Sequence, residues 1–295
     1  MSGMYLGAAC AMLFFPSLVK NKGTQSVFYV EAILGVAWSV LWLKFSSEPT
    51  RSDLLPLSMA SRDMIMARAG VVPPRTVNIP CRRIIFSLPV WAITVSNFTF
   101  HYAFYVLMNW LPTYFVQGLQ FSLQDMGSSK MFPYFNMFIF FNIGGLAADH
   151  LITRRILSVT STRKVLNTIG FVVSAFALIA LPLFSTPSGS VICSLISLGY
   201  LSLGRAGFAV NHMDIAPKFA GIIMGVSNTA GTLAGIVSNK MTGIILEAAK
   251  ASNKDLTNSE TWNTVFSVPA YLCIISSFIF FFLYFRLVKR FMNNE

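Results

Sequence analysis

Eight stretches of this chain run for about twenty residues with few or no charges: Gly3–Val19, Val27–Phe45, Ile84–Val116, Phe132–Ala148, Val165–Phe184, Val191–Val210, Gly221–Leu246 and Phe266–Leu287. A helix rises ~1.5 Å per residue and the hydrocarbon core of a bilayer is ~30 Å thick, so each run can cross a membrane. With 55% hydrophobic and only 11% charged residues, the chain has too little polar surface to enclose these runs in water. The expected fold is an all-α polytopic membrane protein with about eight transmembrane helices.

The first run comes before its nearest basic residues, Lys20 and Lys22, which is the wrong order for a cleaved leader, so it is expected to be retained. The net charge of +11 does not point to nucleic acid, because the basic residues are scattered over separate loops. Membrane topology accounts for them better. If the chain starts inside and alternates, sixteen of the twenty-two Lys and Arg fall on the inner side, as the positive-inside rule requires. Both termini are then cytoplasmic.

The one long polar interruption, rich in Pro and Arg, divides the chain into residues 1–45, with two helices, a cytoplasmic connector 46–83, and a six-helix bundle 84–295. Lipid headgroup contact and orientation account for the connector's charges. Cys10, Cys193 and Cys273 lie within apolar runs and Cys81 in a basic loop, a spacing that suggests neither a metal site nor a disulfide framework.

Two helices carry polar stripes. Gly221, Gly225, Asn228, Thr232, Gly235, Asn239 and Thr242 step by fours and threes along one face. That face suits close helix packing through its Gly-xxx-Gly pairs, and it equally suits a water-lined path. In the third run Asn97, His101, Tyr105 and Asn109 recur every four residues, with Pro112 to loosen the helix beyond them. An ionisable His101 at membrane depth marks a site or a proton relay, unless it is a neutral imidazole bonded to a neighbouring helix. Glu31, Arg205, Lys130 and Lys240 lie near helix ends, where long side chains reach the interface by snorkelling. No nucleophile is set beside a base, and the three His lie on different helices or loops, so the chain is not expected to be an enzyme or to hold a metal or other cofactor.

The stretch "GGLAADHLITRR", Gly144 to Arg155, resembles the cytoplasmic loop motif of the major facilitator superfamily. "NHMDIAPKFAGIIMGVSNT" from Asn211, "NWLPTYF" from Asn109, "SVFYV" from Ser26 and "TWNTVF" from Thr261 resemble the solute carrier seventeen anion transporters, the group of sialin, the vesicular glutamate transporters and the plant phosphate transporters. The likeness covers nearly the whole chain in order. It implies a major facilitator fold lacking its first four helices, with residues 1–45 as the last two helices of the N-terminal bundle.

The resemblance also implies roles. Asp149, Arg154 and Arg155 would form a conformational charge cluster, and His212, Asp214 and Lys218 a latch in a loop between helices. Substrate would be held near the midplane between two halves, with Asn97, His101, Tyr105, Asn228 and Thr232 as the substrate-binding set. Glutamate-transporting members carry a basic residue where this chain has Phe100, which favours a plant-type phosphate carrier. The expected function is secondary active transport of phosphate or another small anion, coupled to H+ or Na+, in an internal membrane such as Golgi, vacuole or plastid. Its expected partners are the anion, the coupling ion and membrane lipid, with a homo-oligomer or full-length carrier as further company and no nucleic acid. The alternative is a truncated, non-transporting chain that associates with or regulates a full-length carrier. A protonated His101 would tie anion binding to pH, since an unperturbed imidazole titrates near pH ~6.5.

Overall fold

The computed structural model describes residues 2–46, 81–120, 132–184, 186–215, 219–252 and 259–292. Most of the connector (47–80), Lys130 and Lys218 lie outside the described residues.

All eight apolar runs are helices: α1 (Ser2–Lys22), α2 (Gln25–Phe45), α4 (Leu88–Thr113), α5 (Phe132–Thr153), α6 (Val159–Ala180), α7 (Pro187–Phe208), α9 (Ala220–Ala251) and α10 (Ser259–Met292). Two short helices join them, α3 (Cys81–Ile85) and α8 (Asn211–Ile215), and no strand occurs among the described residues. Most helices run past the apolar runs at one or both ends, because backbone hydrogen bonding continues into polar sequence until a cap or proline stops it. The chain is an all-α polytopic membrane protein. Seven of the described helices are both long and apolar enough to span a membrane. The eighth, α4, is long enough at 26 residues but is diluted by its polar stripe.

A polar helix is tolerated in a bilayer only where its polar groups are covered. α4 meets that condition, since Ser96, Asn97 and Thr99 are buried alongside Ile93, Phe100, Val106 and Leu107. The run Ile84–Val116 is not one continuous helix. Phe86 and Ser87 separate α3 from α4, and Pro89 sits in the first turn of α4, where a missing N–H leaves no bond unmade. At the other end Pro112 cannot donate to the preceding turn, and the backbone widens into a π-helical turn over Tyr114–Gly118, closed by Leu119 N–H to the Tyr114 carbonyl at 3.0 Å.

The chain divides into two compact units, Met1–Leu13 with Cys81–Glu295, and Phe14–Pro80. In the first, α5 packs on α7, α7 on α6, α6 on α10, α10 on α4 and α4 on α9. Phe100, Phe171, Phe208, Trp262, Phe266 and Phe280 form the heart of its core. The α6–α7 crossing is tight because Gly170 meets Gly204 backbone to backbone. A methyl group at Gly170 would lie 2.6 Å from the Tyr200 carbonyl oxygen and closer still to Gly204. Without a hydrophobic drive between helices in lipid, such close approach supplies the packing, and the 2.7 Å Ser174–Ser197 hydrogen bond adds to it. In the second unit, α2 buries none of its residues and exposes Phe28, Ile33, Leu34, Trp38 and Trp42, a surface suited to hydrocarbon.

Candidate functional site

The α4 stripe faces α9 at a constant offset. Asn97 donates to the Ser227 carbonyl at 2.7 Å and Asn109 donates to Asn239 Oδ1 at 3.0 Å, both across 130 positions. Between these bonds, a Cβ at Gly231 would meet His101 Nδ1 at 2.7 Å, and one at Gly235 would meet the Tyr105 ring at 2.8 Å. Positions 97, 101, 105 and 109 therefore match 227, 231, 235 and 239 one for one. An unchanging offset means that the two helices run parallel, ridge against ridge with a four-residue repeat. Glycine is needed at Gly231 and Gly235 because the imidazole and phenol occupy the space that a side chain would fill.

His101 is half-buried, and its Nδ1 lies 2.9 Å from the Asn97 carbonyl oxygen. A carbonyl only accepts, so Nδ1 carries the hydrogen and Nε2 is left to accept from a ligand or take up a proton. At the far end of the seam Asn239 Oδ1 also accepts from Trp110 Nε1 at 3.1 Å, while its own amide donates to the Gly235 carbonyl at 2.9 Å.

The α9 stripe read from the sequence divides. Gly235, Asn239 and Thr242 turn inward, whereas Gly221, Gly225, Asn228 and Thr232 are exposed, and the first two have open space where a Cβ would stand. A repeat of fours and threes averages 3.5 residues, so on a straight helix it drifts ~20° per heptad. Over three heptads the stripe passes from one side of α9 to another. The inward residues Ser227 and Gly231 sit one position before Asn228 and Thr232. The signal available in the sequence was their four-residue spacing, the same as that of the α4 stripe.

The five conformational candidates fall into two places. Asp149, at the end of α5, and Arg154 and Arg155, in the turn after it, are all exposed. Arg155 adopts φ 54°, the left-handed conformation that closes a helix, and its N–H reaches the Ile152 carbonyl at 3.0 Å. His212 and Asp214 lie on α8, a helical turn rather than an open loop. There the only ion pair among the described residues joins Asp214 to Arg163 Nε of α6 at 3.2 Å, and Arg163 Nη1 also donates to the Ala206 carbonyl of α7 at 3.1 Å. His212 is buried, with Nδ1 2.9 Å from the Ala209 carbonyl oxygen and Nε2 without a partner. Arg163 was missed because its apolar run begins after it, so in sequence it reads as a surface charge.

Arg205 differs most from its expectation. It does not snorkel. It is 8% exposed, its Nη1 donates to the Tyr5 hydroxyl of α1 at 2.9 Å, and its guanidinium lies 4.8 Å from the centre of the Phe100 ring. Nε is buried without a partner. Among the described residues no three His, Cys, Asp or Glu gather as metal ligands.

Residues 1–239 match the family model for the Major Facilitator Superfamily. The chain is 79% identical over 283 residues to probable anion transporter 7 of Oryza sativa subsp. japonica, covering 95% of itself and 64% of that relative. It is 37% identical to sodium-dependent phosphate transport protein 1, chloroplastic, of Arabidopsis thaliana, covering 94% of itself and 52% of that protein. The chain thus spans less than two thirds of the length of these curated relatives. Among solved structures, an inward-facing, unoccupied bacterial homologue of the human lysosomal transporter Spinster matches 99% of the chain and 70% of its own. The TM-score is 0.57 and the identity 14%, a likeness of fold.

Proposed function

The chain belongs to the Major Facilitator Superfamily, and from that membership we propose that it carries a small anion, inorganic phosphate first, across an internal membrane by alternating access coupled to H+ or Na+. The relatives support this reading, since one is named as an anion transporter and another as a sodium-dependent phosphate transport protein of the chloroplast. Both termini are read as cytoplasmic from the bias of the basic loops.

The observation that carries the proposal is the α4–α9 seam. It brings Asn97, His101 and Tyr105 of a helix too polar for lipid against small residues of a second helix. Asn97 is spent on the backbone of α9, which leaves the Tyr105 hydroxyl, and His101 Nε2 once it takes up a proton, as the donors of α4 offered to an anion. Asn228 and Thr232, exposed on the adjoining face of α9, complete the proposed path. Asp149, Arg154, Arg155, His212 and Asp214 serve as the gating set, with the Arg163–Asp214 pair tying α6 to α8.

The experiment is radiolabelled phosphate uptake into proteoliposomes that hold the 295-residue chain, beside empty liposomes and His101→Ala. Saturable uptake that falls at least tenfold in the variant, about the loss of one good polar contact, is the expected result. Folded, inserted protein that takes up no more than empty liposomes would sink the transport reading for this chain.

A further inference from the structure

Three basic side chains are buried among the described residues: Arg163, Lys164 and Arg205. A cation inside a helix bundle is costly unless opposite charge or hydrogen bonding offsets it. Arg163 has Asp214, and Lys164 lies 4.8 Å from the centre of the Phe281 ring. Arg205 has no carboxylate partner among the described residues. The described acidic residues, Glu31, Asp149, Asp214, Glu247 and Glu260, are all exposed, so none is buried beside it.

The groups around Arg205 offset only part of its charge. The Tyr5 hydroxyl accepts one of five guanidinium N–H bonds, and the Phe100 ring presents the negative face of its quadrupole. Neither carries net charge. Nε, one tine of the fork with which arginine grips carboxylate or phosphate, is buried and unpartnered. Phe100 also meets His101, ring centres 5.2 Å apart and edge to face, so the cation and the imidazole share one aromatic neighbour. The residues chosen from the polar stripes, Asn97, His101, Tyr105, Asn228 and Thr232, include no permanent charge with which to hold an anion.

We propose that Arg205 is the charge-bearing ligand of a small-oxyanion site where α1, α4 and α7 meet, with Tyr5 and His101 as hydrogen-bonding partners at its edge. The proposal rests on the anion-transport reading and adds the cation that reading lacks. A guanidinium stays charged at any physiological pH and offers a planar pair of donors matched to two phosphate oxygens. Its charge is less screened than at the surface because the site is buried. The opposing account is structural, with Arg205 only pinning α1 to α7 through Tyr5.

The test is inorganic phosphate binding to the full chain in phosphatidylcholine nanodiscs. It is read directly with labelled phosphate and as the rise in unfolding temperature that phosphate produces, for wild type, Arg205→Gln and Arg205→Lys. Phosphate should stabilise the wild type, bind Arg205→Gln about thirtyfold more weakly or worse, and bind Arg205→Lys several-fold more weakly because an ammonium has no fork. A purely structural Arg205 would lower the unfolding temperature of Arg205→Gln but leave its phosphate affinity and phosphate-induced rise unchanged, which overturns the site. If Arg205→Gln does not fold, Arg205→Lys decides, and wild-type affinity in it overturns the proposal. Wild type that binds phosphate while the variants bind it equally leaves anion transport standing without Arg205. Wild type that binds neither phosphate nor sulfate takes down both.

Discussion

Asn109 of α4 donates its amide to Asn239 of α9 at 3.0 Å, and the same offset of 130 positions joins Asn97 to Ser227 about three turns away. Two parallel helices are thus clamped at both ends of a seam whose middle is occupied by His101 against Gly231 and Tyr105 against Gly235. The polar groups that make α4 a poor lipid helix are the groups that bind it to α9.

Replacing Asn239 with Ala leaves the Asn109 amide and the Trp110 indole N–H without their shared acceptor. The bundle should lose about 1–2 kcal/mol, the range for orphaned donors in membrane helices. Unfolding in mixed micelles measures it, and a variant as stable as wild type would mean that lipid or water satisfies both donors.

Gly170→Leu places a branched side chain where a single Cβ already lies 2.6 Å from the Tyr200 carbonyl oxygen. Overpacking of this kind costs roughly 1–3 kcal/mol or more, so α6 and α7 should part and folded yield should fall steeply. Gly145→Ala is the control, since nothing lies within 4 Å of a Cβ there. Equal losses at both positions would show that the crossing is not the cause, since backbone entropy alone favours replacing a helical glycine.

Asp214→Asn removes the carboxylate that faces Arg163, whose side chain is 10% exposed against 28% for the Asp214 side chain. Partial solvent screening limits the cost to about 1 kcal/mol. The charge-reversed pair Arg163→Asp with Asp214→Arg should recover part of that loss, and a double-mutant cycle with no coupling would show that the pair does not hold α6 to α8.

If the His101 imidazolium helps hold the anion, affinity is highest where the ring is charged and falls as pH rises through its titration. Among the described residues, Arg205 is the charged group that shares the Phe100 ring with it, while Tyr105 lies beside it and the small residue Gly231 against it. Phosphate itself titrates in this range, so the readout is wild type against His101→Gln from pH 5 to 8. The variant should keep only the part of the pH dependence that belongs to phosphate. Curves of identical shape would remove His101 from the role.

Much of this architecture is legible in the sequence. Runs of about twenty apolar residues predict spanning helices at all eight places, and the four-residue spacing from Asn97 to Asn109 singles out the polar face of α4. The break at Phe86–Ser87 and the π-helical turn after Pro112 were harder to place, because an apolar run shows where a helix is covered and not where its hydrogen bonding changes. The α9 stripe was half read. Its residues alternate in threes and fours, and the partner helix takes Gly235 and Asn239 from among them but Ser227 and Gly231 in place of Asn228 and Thr232.

Composition and periodicity determine that this chain lives in a membrane as a helical bundle, since length and apolarity act locally and need no partner to take effect. Tertiary structure alone decides which polar groups meet. Arg205 is 200 positions from Tyr5 and in sequence stands near the end of an apolar run, where a long side chain could reach water. Whether it does depends on the helices packed around it, and here α1 and α4 close over it. A buried charge is defined by what covers it, and that lies on other parts of the chain.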